Sequence, residues 1–348
     1  MRKLGDVVIF RDEKLYASFP TVARTKGGEL LVGFRLAPRE EPPTHFHSQS
    51  RAVYVRSSDG GRTWSEPFPI SPEDELGQQD PCLRALSDGR ILASYFRWQF
   101  HPLPEREALT KARVLREAKG GLMRLAGIAV CTSDDGGRTW SFRRVHIPDY
   151  EDVAAVRGRT EELPDGSLLM PVYAVGGENR VHILRSADRG ETWEDLSVVV
   201  ARPPGRENAC DEPTLLRLPS ERLLCFIRAY GDGGLMQVAE SRDEGRTWGP
   251  VRETKVWGFP QWAIALSDGR AFIAYGYRRE PYGVRARAWD PEGEGVDEAE
   301  ELVLRDDGAS PDLGYPSAVE LEDGKVLVVY YIHGEDGVRY IAGTVLSV

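Results

Sequence analysis

The sequence has little of what marks secreted, membrane-spanning or metal-binding proteins. Only four of its 348 residues are cysteine, and their scattered positions favour buried free thiols over disulfides or a metal site. No apolar run approaches the roughly 20 residues that span a bilayer. The apolar stretch before Arg11 is too short for the core of a signal peptide. We therefore expect a cytoplasmic protein without a membrane partner.

The sequence also has fewer positively than negatively charged side chains. The chain has 45 Lys and Arg against 55 Asp and Glu, a formal net charge of −10. Proteins that bind nucleic acid need a local excess of cationic side chains, so an acidic chain argues against that class of partner. The remainder, 41% apolar and 29% charged, is typical of a globular protein with a sizeable core. We expect no metal and no cofactor.

An octapeptide with the pattern Ser-x-Asp-x-Gly-x-x-Trp occurs four times. Asp can hydrogen-bond the backbone of a tight turn, Gly supplies a positive φ, and Trp packs beneath the loop. These aspartates are therefore interpreted as structural residues. The four copies are Ser57–Trp64, Ser133–Trp140, Ser186–Trp193 and Ser241–Trp248.

A second repeat consists of an alternating apolar strand, a turn of the Asp-Gly type and a strongly apolar strand. This is the signature of a β-hairpin. Six such hairpins, each followed by a third and a short fourth strand, predict a single all-β domain over residues 1–348, a six-bladed β-propeller. The hairpins are residues 19–35, 80–97, 159–174, 212–229, 259–278 and 315–333.

One segment of the second blade departs from the strand pattern. Residues 101–127 are rich in Glu, Lys, Arg, Leu and Ala, and residues 105–118 are predicted to form a helix. We interpret 101–127 as a short helical insertion on the rim of the propeller. Whether it covers the central opening or lies as a solvated surface helix is left open.

The four octapeptides resemble the Asp-box (BNR) repeats of the sialidase, or neuraminidase, superfamily, and the resemblance covers essentially the whole chain. It implies the six-bladed propeller fold. In that fold the inner strands line a central channel, so polar residues at the hairpin starts converge and can form a sugar-binding pocket. The predicted substrate-binding residues from these starts are Asp80, Arg159, Glu161, Asp211, Gln261 and Trp262.

The resemblance also implies catalytic roles. Sialidases use a tyrosine nucleophile activated by a glutamate, with arginines that hold the substrate carboxylate. Gly314-Tyr315-Pro316-Ser317 is similar to the tyrosine segment, and Asp211-Glu212-Pro213 is similar to the glutamate segment, which ends at Arg228. Glu280-Pro281-Tyr282-Gly283-Val284-Arg285 is similar to the segment before another arginine. Arg285 is therefore the candidate there, with Arg278 and Arg287 as rivals.

Two departures from the family pattern bear on the mechanism. Ser18 stands where the family has an arginine, in Ser18-Phe19-Pro20. The loop that should carry the acidic aspartate contains His45 and His47 and no aspartate. An imidazole titrates near neutrality, so either histidine could protonate the leaving oxygen instead.

Three functions remain open. The first is an exo-glycosidase that hydrolyses the glycosidic bond of an acidic sugar, with an acidic glycan or oligosaccharide as substrate. The second is a polysaccharide or uronate lyase that uses His47 and Tyr315 as acid and base; its unsaturated product would absorb ultraviolet light. The third is a non-catalytic propeller that only binds glycans, which cleaves no acidic glycoside but binds one.

Overall fold

A computed structural model describes residues 1–118, 121–148, 150, 152–175, 179–205, 209–230, 233–293 and 295–348. These residues form six antiparallel sheets, and successive sheets pack side by side around a central channel. Each sheet is one blade, with its inner strand at the channel and its last strand at the outside. The architecture is the predicted six-bladed propeller.

The blades follow one another along the chain. The sixth blade joins three strands near the C-terminal end of the chain to one strand near its N-terminal end. The first three blades are β2–β5 (Leu15–Arg24, Leu30–Pro38, Arg51–Ser57, Phe68–Pro69), β6–β10 (Gly77–Ala85, Ile91–Pro102, Leu115–Ala118, Gly121–Ser133, Ser141–Arg144) and β11–β15 (Ala154–Val156, Glu161–Glu162, Leu168–Ala174, Arg180–Ser186, Glu194–Ala201). The last three are β16–β19 (Cys210–Arg217, Leu223–Ala229, Leu235–Ser241, Arg252–Trp257), β20–β23 (Gln261–Ala265, Ala271–Tyr277, Tyr282–Trp289, Glu301–Gly308) and β24–β26 with β1 (Gly314–Glu320, Lys325–Ile332, Tyr340–Ser347, Arg2–Phe10).

The hairpins form where turn residues interrupt apolar strands. In the second blade, Gly89 adopts a φ of 97°, and its N–H donates to the Leu86 carbonyl to close the turn between β6 and β7. The second strand of each blade is sandwiched between neighbouring blades, and β13 is buried along its whole length. Burial of these middle strands places the apolar core between the blades.

The four octapeptides form closed turns between the third and fourth strands of the first four blades. In the first, the Gly61 N–H donates to Ser57 Oγ, and Asp59 accepts from both the N–H and the hydroxyl of Thr63. The same hydrogen bonds recur in the other three copies. The aspartates are thereby fully engaged in the turns, far from the channel.

The secondary structure of the insertion at residues 101–127 differs from the prediction. Its helical part is a short 3-10 helix over Leu103–Leu109, whereas residues 115–118, predicted as helix, form strand β8 against β9. The 3-10 helix buries no residue, so a longer helix would lack an apolar face to hold it in place. The apolar side chains Val114, Met123 and Leu125 are buried instead in the extended hairpin of β7 and β9.

Strand β1 closes the ring. It pairs antiparallel with β26 from Arg2↔Ser347 to Phe10↔Ile341 and so completes the sixth blade with the N-terminal segment. Ile9 is buried from this strand, whereas its neighbour Val8 is 56% exposed. The first and last strands therefore hold each other in place.

Two further observations concern expectations from composition. All four cysteines are buried and free. Among the described residues, no helix is long and apolar enough to cross a membrane.

Candidate active site

A cavity of about 640 Å³ opens at one mouth of the central channel. All six blades contribute to its wall: the first, second, fourth and sixth through their inner strands, the third and fifth through residues at or just after the ends of their second strands. Its size suits a ligand of one or two sugar rings in a pocket that mixes polar and aromatic groups. Phe46 and Trp98 form an aromatic corner, and the Arg116 guanidinium lies over both rings.

Tyr315 and Glu212 meet at the floor of this cavity although 103 positions separate them. The Tyr315 hydroxyl donates a hydrogen bond to Glu212 Oε1, and Arg228 Nη1 donates to Glu212 Oε2 at 2.7 Å. Both the phenol and the carboxylate are buried. The structure thus forms a continuous line of phenol, carboxylate and guanidinium.

Burial and charge set the protonation of this line. Burial raises the pKa of Glu212, but the Arg228 charge and the hydrogen bonds from Arg228 and Tyr315 outweigh it, so the pKa is lowered. Burial, followed by the charge of Glu212, raises the pKa of Tyr315 well above its usual value. The resting pair is therefore a neutral phenol beside a carboxylate that can accept its proton.

A repeated backbone irregularity aims four side chains into the cavity. Phe19, Asp80, Glu212 and Tyr315 each precede a proline and have φ values between 47° and 57°. Each lies at a register shift in the inner strand of its blade. The left-handed region is costly for such residues, about 1–3 kcal/mol each, so the surrounding fold must impose it.

Two guanidinium groups stand beside the Tyr315–Glu212 pair. Arg228 is held between the rings of Tyr230 and Phe259, at 4.5 and 4.4 Å from their centroids. Arg278 lies 5.5 Å from the Tyr315 centroid and donates from Nη2 to the Leu313 carbonyl at 3.0 Å. Two fixed cations at one end of the cavity can bind a carboxylate by charge-assisted hydrogen bonds.

The expectation for Arg285 is corrected. Its guanidinium donates to the backbone carbonyls of Pro281 and Arg305 and does not line the cavity. Arg285 belongs to β22, the third strand of its blade, which is displaced outward from the channel. Arg278 directly follows the second strand of its blade, and Arg228 is the last residue but one of the second strand of its own; this similar position brings both to the mouth.

Asp80 and Asp211 add two carboxyl groups to the wall. Burial, reinforced by the charge of Glu212, raises the pKa of Asp80 to about 8 despite the opposing charge of Arg157. Burial and the same glutamate raise the pKa of Asp211 to about 6. The Asp80 carboxyl, with Oδ1 lacking a hydrogen-bond partner, is thus able to donate a proton or a hydrogen bond at neutral pH.

The two histidines of the 45–47 loop separate. His45 lines the cavity, and its Nε2 lies 2.9 Å from Asp312 Oδ1. His47 is outside the cavity wall; its Nδ1 accepts from the Gln49 N–H, and its Nε2 lies 3.5 Å from Glu40. Only His45 is in a position to reach a ligand.

Comparison with known proteins agrees with this architecture. The family model of the BNR repeat-like domain matches residues 118–328, and solved sialidase and trans-sialidase structures share the fold of the chain. The chain belongs to the sialidase superfamily.

The proteins that this sialidase-superfamily chain resembles include a sialidase, a protein of unknown function and an intramolecular trans-sialidase. The sialidase of Micromonospora viridifaciens is 27% identical over 248 residues, which are 67% of this chain and 36% of that protein. A protein of unknown function from Dyadobacter fermentans is 34% identical, with a TM-score of 0.91 over 100% of this chain and 99% of its own. The leech intramolecular trans-sialidase, solved with 2,7-anhydro-Neu5Ac, is 16% identical with a TM-score of 0.70 over 99% and 70%.

Three predicted substrate-binding residues of this sialidase-like propeller lie at the opposite mouth. Arg159 and Trp262 border a separate cavity of about 200 Å³, formed by the far ends of the inner strands. Glu161 is buried next to it and pairs with Arg159 at 2.9 Å and with Arg84 at 3.6 Å. A strand advances about 3.3 Å per residue, so positions a few residues along the hairpin face the other end.

Gln261 is also a structural residue. Its Nε2 donates to the carbonyls of Glu212 and Phe226, so it joins the fifth blade to the backbone of the fourth. It thereby supports the conformation of Glu212 without reaching the cavity wall.

Two residues at hairpin starts, Arg157 and Asp312, also contact residues of the site, although the sequence assigned neither of them an individual role. Arg157 fills the channel beneath Tyr315, where it donates to the carbonyls of Pro20, Tyr315 and Pro316 and lies 5.3 Å from the phenol centroid. Asp312 precedes the sixth inner strand and binds His45. The signal that could have sharpened the prediction is the recurrent X-Pro pair at the inner strands, which marks the side chains aimed into the cavity.

Proposed function

We propose that this protein is a glycoside hydrolase that cleaves the bond between an acidic sugar and its neighbour, with Tyr315 as the nucleophile. The observation that carries the proposal is the buried line of Tyr315, Glu212 and Arg228 at the floor of a sugar-sized cavity. A phenol is a poor nucleophile at neutral pH unless a base takes its proton as it attacks. Glu212 is in contact with that proton.

The two cations beside the pair give the reason for an acidic sugar. Arg228 and Arg278 present guanidinium donors next to the Tyr315 ring, where a carboxylate on the reacting sugar would bind. A neutral phenol approaches such an anionic substrate without the repulsion that a carboxylate nucleophile would meet. Asp80 and Asp211 offer further polar contacts to sugar hydroxyls.

The reaction proceeds in two balanced halves. Tyr315 Oη bonds to the anomeric carbon while its proton passes to Glu212, and the glycosidic oxygen leaves with a proton from an acid. Water then attacks the same carbon, Tyr315 leaves, and its oxygen recovers the proton from Glu212. His45 is the imidazole of the 45–47 loop that can supply the acid and later accept the proton of the water.

Replacement of Tyr315 by Phe tests the proposal. The substrates are 4-nitrophenyl α-glycosides of N-acetylneuraminic acid and 4-nitrophenyl β-glucuronide, with release of nitrophenolate as the measurement. We expect Tyr315→Phe to lower kcat by at least about 10³-fold, because the covalent route is removed. Mass spectrometry of quenched wild-type enzyme should show a glycosyl group on the peptide that contains Tyr315.

Tyr330→Phe is the matched control. Tyr330 is a buried tyrosine of the same blade whose hydroxyl contacts Thr344 and Arg305, outside the cavity. Its removal should leave kcat unchanged. An active Tyr315→Phe variant would overturn the mechanism; an unsaturated product would indicate a lyase, and binding of a glycoside without cleavage would indicate a glycan-binding propeller.

A further inference from the structure

Asp312 collects an unusual number of hydrogen bonds at the edge of the cavity. Tyr331 donates to Oδ1 at 2.8 Å, Tyr16 reaches Oδ1 and Oδ2 at 3.1 and 3.0 Å, and Arg339 Nε donates to Oδ2 at 2.9 Å. The fourth partner is His45 Nε2, at 2.9 Å from Oδ1. Partners from three separate parts of the chain therefore fix both oxygens of a single carboxylate.

These contacts determine the charge of Asp312. Burial alone would raise its pKa, but the hydrogen bonds from His45 and Tyr331 and the charge of Arg339 lower it well below the usual range. Arg35, buried with no hydrogen-bond partner for its guanidinium nitrogens, adds positive charge on the same side. Asp312 is therefore ionised where it contacts the His45 imidazole.

His45 is held between this carboxylate and the ligand space. Its ring lies 6.1 Å from the Tyr16 ring and 5.2 Å from Phe19, edge to face, and its side chain keeps 39% exposure. Phe19 in turn lies 4.5 Å from the ring of Tyr315. Because Asp312 occupies Nε2, Nδ1 is the nitrogen that can exchange a proton with a ligand.

We propose that Asp312 is a positioning residue that holds His45, with Nε2–H toward the carboxylate, as the proton donor to the leaving glycosidic oxygen. This inference rests on the proposed glycosidase function and assigns its missing acid. In the first half-reaction Nδ1–H of the imidazolium passes its proton to the glycosidic oxygen as the C–O bond breaks. In the second, neutral Nδ1 takes a proton from the attacking water, which restores the imidazolium.

The test compares two leaving groups. The 4-nitrophenolate group leaves readily without a proton, whereas the methoxy group must be protonated to leave as methanol. We expect Asp312→Asn to lower kcat for methyl α-N-acetylneuraminide by about 100-fold and for the 4-nitrophenyl α-glycoside by less than about 5-fold. His45→Gln should show the same pattern with a larger loss. Equal losses on both substrates, or no loss on either, would overturn the role of Asp312.

The matched control is another carboxylate paired with an imidazole. Glu105 Oε2 lies 2.8 Å from His101 Nδ1 in the insertion, outside the cavity, so Glu105→Gln should leave both rates unchanged. If Asp312→Asn does not fold, Tyr331→Phe removes one donor and leaves the carboxylate in place. It should give a smaller loss, again confined to the methyl glycoside.

A second readout is independent of turnover. The ¹⁵N shifts of the His45 imidazole report which nitrogen carries the proton in the neutral ring. We expect the Nε2–H tautomer in the full-length wild-type protein and a mixture of tautomers in Asp312→Asn. An unchanged spectrum would disprove the positioning role even if Tyr315 were shown not to be a nucleophile, so the two proposals fail separately.

Discussion

At the scale of single residues, the cavity combines charges that are costly to bury. Asp80, Glu212 and Arg228 are all buried within one channel mouth, and the charge of Glu212 raises the pKa of both Asp80 and Arg228. Removing one partner of such a group leaves the other uncompensated, which costs more than the pair contributes. The same interdependence keeps Glu212 ionised beside a neutral phenol.

Asp80 should make stability depend on pH. Its pKa rises from 3.8 to about 8 on folding, so the folded state favours the protonated carboxyl. The contribution of this group to stability is complete below pH 4 and is lost as pH rises through 8. Asp80→Asn does not titrate, so its free energy of unfolding should increase relative to wild type over that range, by up to about 1.4 kcal/mol per pH unit.

Denaturant unfolding at pH 5, 6.5 and 8 measures this difference. The exposed Asp306→Asn provides the comparison, because its carboxylate lies outside the channel. A wild-type-to-Asp80→Asn difference that stays constant across the three pH values would show that Asp80 is ionised in the folded protein.

At the scale of strands and turns, the position of the inner strands decides which side chains reach the cavity. The X-Pro irregularities of β2, β6, β16 and β24 turn one residue in each strand toward the same mouth. The third blade has no such pair at its inner strand. There Gly158 approaches the fourth blade so closely that an added Cβ would lie 1.9 Å from the Pro213 carbonyl oxygen.

Gly158→Ala should therefore disturb Glu212, the residue before Pro213. We expect a loss of about 1–3 kcal/mol in the free energy of unfolding, since the backbones of two blades must separate. The rate of glycoside cleavage should fall together with it. Gly5→Ala is the control, because a Cβ there meets no atom within 4 Å; equal stability of the two variants would contradict the close contact.

The sequence alone predicts the positions of strands and turns better than it predicts which side chains face the cavity. Repeated turns and alternating strands locate the six hairpins, because local chemistry fixes both. Tyr315, Glu212 and Arg228 follow from the resemblance of their hairpin segments to those of the sialidase superfamily. The choice between Arg278 and Arg285 depends on how far a strand lies from the channel, and the separation of Asp80 from Arg159 depends on its register. Local sequence determines neither the distance of a strand from the channel nor its register.

The helix expected at 105–118 was wrong over residues 110–118 for a related reason. Its composition favours a helix, but helix formation in a protein needs an apolar face and a surface to cover. The neighbouring strands β7 and β9 continue outward together, and β9 offers backbone hydrogen bonds to β8 instead. Tertiary context overrides propensity there.

At the scale of the whole molecule, the ring depends on the pairing of β1 with β26. Ile9→Asp would place a charge against the buried cluster that includes Phe34 and Val329. We expect a marked drop in Tm and loss of activity, since an unpaired buried charge costs several kcal/mol. Val8→Asp, on the exposed face of the same strand, should change neither. Equal Tm values for the two variants would show that the ring does not rely on this strand.

The closing blade is also the one that bears Tyr315, next to Asp312. A nascent chain that has already produced the first five blades still lacks Tyr315, the proposed nucleophile. Tyr315 is held in a complete blade only when residues 314–347 have emerged and β26 has paired with β1. On the proposed mechanism, a chain that stops before β26 would be inactive, because the blade that holds Tyr315 would be incomplete.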